Sequence, residues 1–421
     1  MSHLVELNLT SHELLARLAL LPDSFYLRSE GQTYCGAFAD AVSHELDPSQ
    51  TRVTRQAEIP EHSDVPRWVG ALPYEAFRGL ERRAVVDSRS PSSWRKPVWR
   101  RYPAVIQVLD DEHAQLVGES VQASQVLESA LRSASVRMPS ATLTWDGPPE
   151  PAALHKRRIQ SALTAIARGD LYQVNLARRF DFKISGGAFS LFQALERAGE
   201  APFGMALNWG EHSLVSLSPE LFLDAQSDGL VLTRPIKGTR PRSADAKQDL
   251  IFARELDASE KERAELAMVI DIERNDLGRL AIPGSVRMRR EPQVVKYPTV
   301  LHREAEIEAQ LESDTTWEAL LTTMCPSGSV TGAPKISAMD LIAQLEASRR
   351  GLYTGALGYL SCSGRLRLSM AIRTLTLAQN RACYFSGGGI VADSDPAQEV
   401  EETLWKAEQL GALVKLGAAL D

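Results

Sequence analysis

The hydrophobic pattern is sharpest after Pro151. Ile159, Ala162, Leu163 and Ile166 follow helical spacing, and Gly169 stands where a C-terminal cap belongs. Residues 171–182 then read as a strand, and further strand candidates are 213–217, 229–234, 355–361, 365–376 and 381–385. Ser259-Glu260-Lys261-Glu262 is a capping box that opens a helix predicted to reach about Asp271. A second helix opens at Asp395-Pro396, with Asp395 as the cap and Pro396 in the first turn. Before Pro151 the pattern is weaker, with a short helical piece at 12–21 and a strand-like one at 104–109. Strands interleave with helices without strict alternation, which predicts an α+β fold. No GxGxxG follows a strand, which disfavours a doubly wound dinucleotide fold.

Two stretches read as loops or boundaries, 87–97 and 138–151, the latter holding Gly147-Pro148-Pro149-Glu150-Pro151. They suggest an N-terminal part, 1–150, and a second part, 151–421, expected to form one structural unit. Of the 421 residues, 44% are hydrophobic and 24% charged, ordinary for a globular chain with a sizeable core. A formal net charge of −7 gives no reason to expect a nucleic-acid partner, and the basic runs at 155–158 and 289–290 read as solvated faces. The four cysteines form no CxxC pair, which suits a reducing compartment and offers no zinc site. Glu6 interrupts any signal-peptide pattern, and no run approaches the roughly 20 apolar residues that span a bilayer. A cytoplasmic location without membrane attachment is the expectation.

Candidate chemistry begins with carboxylates. Glu399 and Glu402 share one face of the helix opened at Pro396, either as a solvated acidic turn or as part of a cation site. Glu265 lies among Ala264, Leu266, Ala267 and Met268, where a carboxylate needs a partner or a cation. Acids from two helices suit Mg²⁺, which prefers oxygen donors. Two glycine clusters follow. In GSVTGAPK, beginning at Gly328, the GxxxxGK[ST] order is missing, and the lysine follows a proline rather than opening a helix. Gly387-Gly388-Gly389 is either a tight turn or a patch of exposed N–H groups able to hold a carboxylate. Lys237, between a strand-like run and Gly238, is either a surface residue or, in a partly dry cleft, a nucleophile.

These segments resemble the chorismate-utilising enzymes, a family that includes anthranilate, isochorismate, salicylate and aminodeoxychorismate synthases. The resemblance rests on GDLYQVNL from Gly169, SPELFL from Ser218, RPIKGT from Arg234 and RAELAMVIDIERNDLGR from Arg263. It continues through CPSGSVTGAPK from Cys325, GLYTGALGY from Gly351, Ala371-Ile372-Arg373 and GGGIVADSDP from Gly387, ending at Lys406-Ala407. The N-terminal third matches loosely, best at Trp68 to Glu75.

The resemblance implies an anthranilate synthase component I-like fold, two large antiparallel sheets packed face to face with helices outside. It implies that Glu265, Glu399 and Glu402 surround Mg²⁺, which binds the ring carboxylate of chorismate. Tyr353 and Arg373 match the pair that holds the enolpyruvyl carboxylate, and Ser329 and the Gly389 backbone match further substrate contacts. Ser329 is often threonine in relatives, a departure that keeps the hydroxyl. Glu220 matches the acid that protonates the departing C4 hydroxyl. His302 matches a histidine near the ring, although Arg303 replaces an apolar neighbour. Thr239 and Lys406 fall in matched motifs and are expected near the substrate.

Two positions divide the family. Gln173 stands where water-using members carry a lysine base, which points to ammonia as nucleophile. Lys237 stands where anthranilate synthases carry alanine; in members reading PIKGT the lysine attacks C2 as hydroxide leaves C4, and ammonia then adds at C4. The resemblance therefore implies conversion of chorismate to 4-amino-4-deoxychorismate, on the way to 4-aminobenzoate and folate, with amination at C2 as the alternative. No glutamine amidotransferase segment is recognisable, so ammonia is expected from a separate subunit. No lyase segment is recognisable either.

Overall fold

The computed structural model describes residues 3–50, 64–78, 94–134, 137–298 and 300–414. A 12-stranded and a 10-stranded sheet dominate it, and their pairings are antiparallel. Their inner faces meet in one apolar layer. Phe25, Leu27, Tyr34, Met205 and Leu207 come from the larger sheet, and Val69, Ala71, Val98, Leu357 and Tyr359 from the smaller. The Tyr34 and Tyr359 rings meet edge to face across this layer at 5.7 Å.

Helices cover both outer faces. Ser11–Leu18, Val121–Ser133 and Ala188–Ala198 seat Leu14, Leu15, Leu127, Leu131, Phe189 and Phe192 in a core shared with the larger sheet. Glu260–Gly278 and Trp317–Met324 seat Leu266, Ile270, Leu277, Leu320 and Leu321 against the smaller one. Each such burial contributes about 1.5–3 kcal/mol, so truncating Leu14 or Leu277 would open a cavity at a helix–sheet seam. The fold is the α+β sandwich that the resemblance implies. Strands from both sides of residue 150 share each sheet: Ser24–Ser29 pairs with Phe203–Asn208, and Pro66–Leu72 with Ala356–Ser361.

Several expectations need correction. The strand expected at 365–376 is two strands, Leu366–Met370 in the smaller sheet and Thr374–Ala378 in the larger. The chain changes sheets between them, and Arg373 takes a φ of 50° there. The helix from Ser259 does not stop near Asp271 but runs to Gly278, because Val269, Ile270, Glu273 and Leu277 continue its buried face. Gly387-Gly388-Gly389 is not a turn. It lies inside the strand Arg381–Ile390, paired with Gln173–Ser185, and a Cβ on Gly387 would stand 2.2 Å from the Leu176 carbonyl oxygen. Lys335 does open a helix, Lys335–Leu345, directly after Pro334.

The stretch 138–151 contains the strand Thr142–Trp145, which pairs with the far end of Gln173–Ser185. The run 155–158 is a solvated face only at Lys156 and Arg157, since His155 is buried and Arg158 pairs with Glu150 at 2.7 Å. Arg290 is likewise paired, with Glu304 and Glu306. Of the expected loop 87–97, residues 87–93 lie outside the described residues. Among the described residues no helix is long and apolar enough to cross a membrane.

Candidate active site

Lys237 sits on the strand Ile236–Pro241, where pairing with Val300–Gln310 slips between Lys237 and Thr239. Gly238 absorbs the irregularity at φ 81°; a Cβ there would meet Leu256 Cδ1 at 2.6 Å and Glu262 Oε2 at 2.8 Å. The bulge aims Lys237 inward, and its Nζ donates to the Ser329 carbonyl oxygen at 3.1 Å. The Ser329 hydroxyl bonds the Glu220 carboxyl. Glu220 is 6% exposed, in the corner between the strands Ser213–Ser218 and Leu221–Ala225. Burial pushes its pKa up to about 7 against the opposing effects of Ser329 and the Lys237 ammonium. An acid that holds its proton more tightly than usual thus lies within the electrostatic reach of the Lys237 side chain.

The acidic cluster lies across from this pair. Glu399 Oε1 accepts from Ser394 Oγ at 2.7 Å and from Lys261 Nζ at 3.4 Å, while its buried Oε2 has no partner. Lys261 Nζ is also 4.0 Å from Glu265. Glu402 pairs with Lys406 at 2.6 Å, and Lys406 Nζ donates to the Gly387 carbonyl at 2.9 Å. Gly388 brings the strand under both acids: its Cβ would be 3.1 Å from Glu399 Oε2 and 3.1 Å from Glu402 Oε1. Burial raises the Glu265 pKa, with Lys237 and Lys261 opposing. Burial also works against ionisation of Glu402, yet the Lys406 ammonium holds that carboxyl below the usual value.

As they stand, no three His, Cys, Asp or Glu side chains among the described residues are gathered closely enough to hold a metal ion. The donors themselves fit Mg²⁺: all are carboxylate oxygens, and one is buried without a partner. Lys261, half exposed, is the cation that stands against Glu399 and can withdraw to solvent.

On the other side His302 is 1% exposed. Its Nδ1 lies 3.0 Å from Thr239 Oγ1 and 3.4 Å from the Gly238 carbonyl. Burial, reinforced by the charge of Arg373, pushes its pKa down to about 3, so the ring is neutral at ordinary pH. Tyr353 stacks on Phe385 at 5.2 Å and 14°. Burial holds the Arg373 guanidinium below its usual pKa. Gln173 is buried, donates to Asn175 Oδ1 at 3.1 Å and leaves its Oε1 without a partner. Gly389 lies against it, since a Cβ there would meet Gln173 Nε2 at 2.6 Å.

Every residue singled out in the sequence is therefore tied to the same region. Lys261, Ser327 and Glu273 were not singled out. Lys261 was visible only as part of a cap. Glu273 could have been found from spacing, because 265, 269 and 273 lie four apart on one helix face. Ser327 carried no signal outside its motif. Arg350 and Glu346, a buried ion pair at 2.6 Å that also holds the Val330 and Asn175 carbonyls, were missed as well.

The two-sheet sandwich is shared with solved enzymes. The anthranilate synthase component I of Streptococcus pneumoniae superposes with a TM-score of 0.72 at 25% identity, covering 97% of this chain and 91% of that one. The chain belongs to the chorismate binding enzyme family, whose pattern matches residues 23–411. It is 44% identical over 254 residues to aminodeoxychorismate synthase component 1 of Klebsiella aerogenes, covering 60% of this chain and 55% of that protein. It is 34% identical over 424 residues to anthranilate synthase component 1 of a Synechocystis strain, covering 90% of this chain and 81% of that protein. The chain spans about half the length of the aminodeoxychorismate synthase component 1 proteins it matches.

Proposed function

We propose that the chain aminates chorismate at C4 to give 4-amino-4-deoxychorismate, with ammonia from a separate glutamine amidotransferase subunit, for 4-aminobenzoate and folate synthesis. The observation that carries this reading is the Lys237 amine, held 3.1 Å from the Ser329 carbonyl and within the electrostatic reach of Glu220.

Arg373 and Tyr353 take the enolpyruvyl carboxylate, a task suited to a guanidinium, with Ser329 and the Gly389 backbone as further contacts. Glu265, Glu399 and Glu402 would hold Mg²⁺, whose charge, when bound, offsets that of the ring carboxylate. Lys237 reacts as the neutral amine, one ammonium proton having passed to the Glu220 carboxylate: its Nζ bonds C2 while the double bond shifts and the C4–O bond breaks. Glu220 gives its proton to the departing oxygen, which leaves as water. Ammonia next bonds C4, the double bond shifts back, and Lys237 departs from C2 as the free amine. Two allylic displacements leave the new nitrogen on C4. The tethered amine needs no translational entropy, worth up to roughly 7–11 kcal/mol in ideal geometry. Gln173, an amide, cannot deprotonate water, which favours ammonia. Neutral His302, fixed by Thr239, borders the ring without donating charge.

The alternative is amination at C2 with Lys237 as a bystander, a reading that the length of the match to anthranilate synthase component 1 favours. Incubation with chorismate, Mg²⁺ and an ammonium salt, followed by separation of the two product isomers, decides between them. The C4 isomer is expected, with turnover collapsing in Lys237→Ala. A C2 isomer, or a near wild-type rate in that variant, would refute the lysine mechanism.

A further inference from the structure

Glu220 is not alone in the dry interior. A second carboxyl, Glu273 on the helix Glu260–Gly278, is 1% exposed, and Ser327 and Ser329 between the two acids are 2% and 4% exposed. Ser327 Oγ lies 2.5 Å from Glu273 Oε1 and 3.0 Å from Ser329 Oγ, and the Ser329 hydroxyl bonds Glu220. The Ser329 backbone N–H donates to Ser327 Oγ at 3.0 Å, which fixes that hydroxyl between its neighbours. Four side chains thus form one unbroken hydrogen-bonded row.

We propose that Glu273 is a proton reservoir for Glu220, the two carboxyls exchanging a proton through the hydroxyls of Ser327 and Ser329. The proposal rests on the reading of Glu220 as the acid that protonates the C4 hydroxyl. After that step Glu220 is a carboxylate covered by substrate. Glu273 then releases its proton to Ser327 Oγ, Ser327 passes its own to Ser329 Oγ, and Ser329 passes its own to Glu220. Three O–H bonds break and three form, and the negative charge moves to Glu273. Neither serine changes its net protonation. Glu273 touches no substrate and acts only through Glu220, as a positioning and supply residue.

The surroundings keep the two acids matched. Glu273 is faced by Asp276 on its own helix, Lys335 from Lys335–Leu345, the Cys325 thiol and Glu220. Lys335 is engaged by Asp276 at 2.5 Å and so only partly offsets Glu273. Glu220 is faced by Lys237 and Lys406. Burial lifts both carboxyls to about 7, so both can hold and release a proton near neutral pH.

The test uses the full chain with Glu273→Gln, Ser327→Ala and Ser327→Thr. In Glu273→Gln and Ser327→Ala, kcat should fall about tenfold above pH 7 with KM for chorismate unchanged. The alkaline limb of the Glu273→Gln profile should move to lower pH, because Glu220 then titrates alone. Ser327→Thr, which keeps the hydroxyl, should restore the rate. An unchanged limb and kcat in Glu273→Gln overturns the relay. Infrared titration of buried carboxyls, without substrate, separates this from the reaction itself. Two linked steps in the wild type that become one in Glu273→Gln support the relay even if chorismate is not turned over. Independent titrations in both proteins overturn it even if it is.

Discussion

Replacing Glu220 by glutamine keeps the shape of the side chain and removes its ionisation. The folded-state pKa of about 7 stands above the ordinary 4.5, so the folded protein holds this proton more tightly than the unfolded chain does. The stability contributed is fully present below pH 4.5, is lost as pH rises through 7, and changes no further above that. A gap of about 2.5 units at about 1.4 kcal/mol each is about 3 to 4 kcal/mol in all, of which about 2 to 3 kcal/mol falls between pH 5 and pH 8. The wild type therefore loses roughly that amount over this interval through Glu220, and Glu220→Gln does not. Urea titrations followed by tryptophan fluorescence at pH 5 and pH 8 read the difference. Groups that do not feel Glu220 cancel when the two proteins are compared at each pH, and Glu273, which the Glu220 charge raises, shifts the comparison in the same direction. The variant should gain on the wild type by about 2 to 3 kcal/mol as pH is raised. Parallel pH dependences would show that Glu220 ionises like a surface acid, and the general-acid role would go with it.

Other substitutions test other parts of the site. Gly389→Ala places a methyl 2.6 Å from Gln173 Nε2 and 2.9 Å from Asn175 Oδ1, so both side-chain ends, which are hydrogen-bonded to each other, must shift. Overpacking of about 1–3 kcal/mol should appear as tenfold or weaker chorismate binding in a calorimetric titration, and unchanged affinity would remove Gly389 from the substrate's path. Arg350→Met strands Glu346, which is 4% exposed, without its guanidinium. A loss of about 3–5 kcal/mol is expected in denaturant unfolding, and a shift under 1 kcal/mol would contradict a dry ion pair there.

The parts of the fold that the sequence displayed were those governed by local chemistry. The caps at Ser259 and Asp395 were legible because their side chains bond their own helix termini. The strand ends at Ser213, Ser361 and Arg381 were legible because composition changes there. What was not legible depends on partners distant in the chain. Gly387-Gly388-Gly389 looks like a turn until the Leu176 carbonyl and the acids at 399 and 402 are brought against it. The switch of sheets before Thr374 leaves only a positive φ at Arg373, a residue whose type does not advertise it. The site divides the same way. Its carboxylates and lysine were named from their motifs, whereas the row from Glu220 to Glu273 joins residues 53 positions apart and has no sequence signature.

The charges around the site set how it fills. Glu265, Glu399 and Glu402 face Lys237, Lys261 and Lys406; the acids raise the pKa of Lys261 and Lys406, and the lysines oppose burial at Glu265 and Glu402. Within this cluster three negative and three positive side chains nearly cancel. A divalent cation entering alone crowds three ammonium groups, and a dianionic substrate entering alone crowds three carboxylates. Entering together they add no net charge, and Lys261 can leave Glu399 for solvent. On the proposed function, Mg²⁺ and chorismate should therefore bind with positive coupling, each raising the other's affinity by the same factor. A coupling of about 1–3 kcal/mol corresponds to roughly 5–150-fold. Calorimetric titration of Glu220→Gln, which keeps these six charges but lacks the acid, measures Mg²⁺ affinity with and without chorismate. Lys261→Met should raise the affinity for Mg²⁺ alone, because the competing ammonium is gone, and should shrink the coupling. If Mg²⁺ binds equally well with and without chorismate, the ammonium groups are not competing with the ion, and the three carboxylates do not form its site.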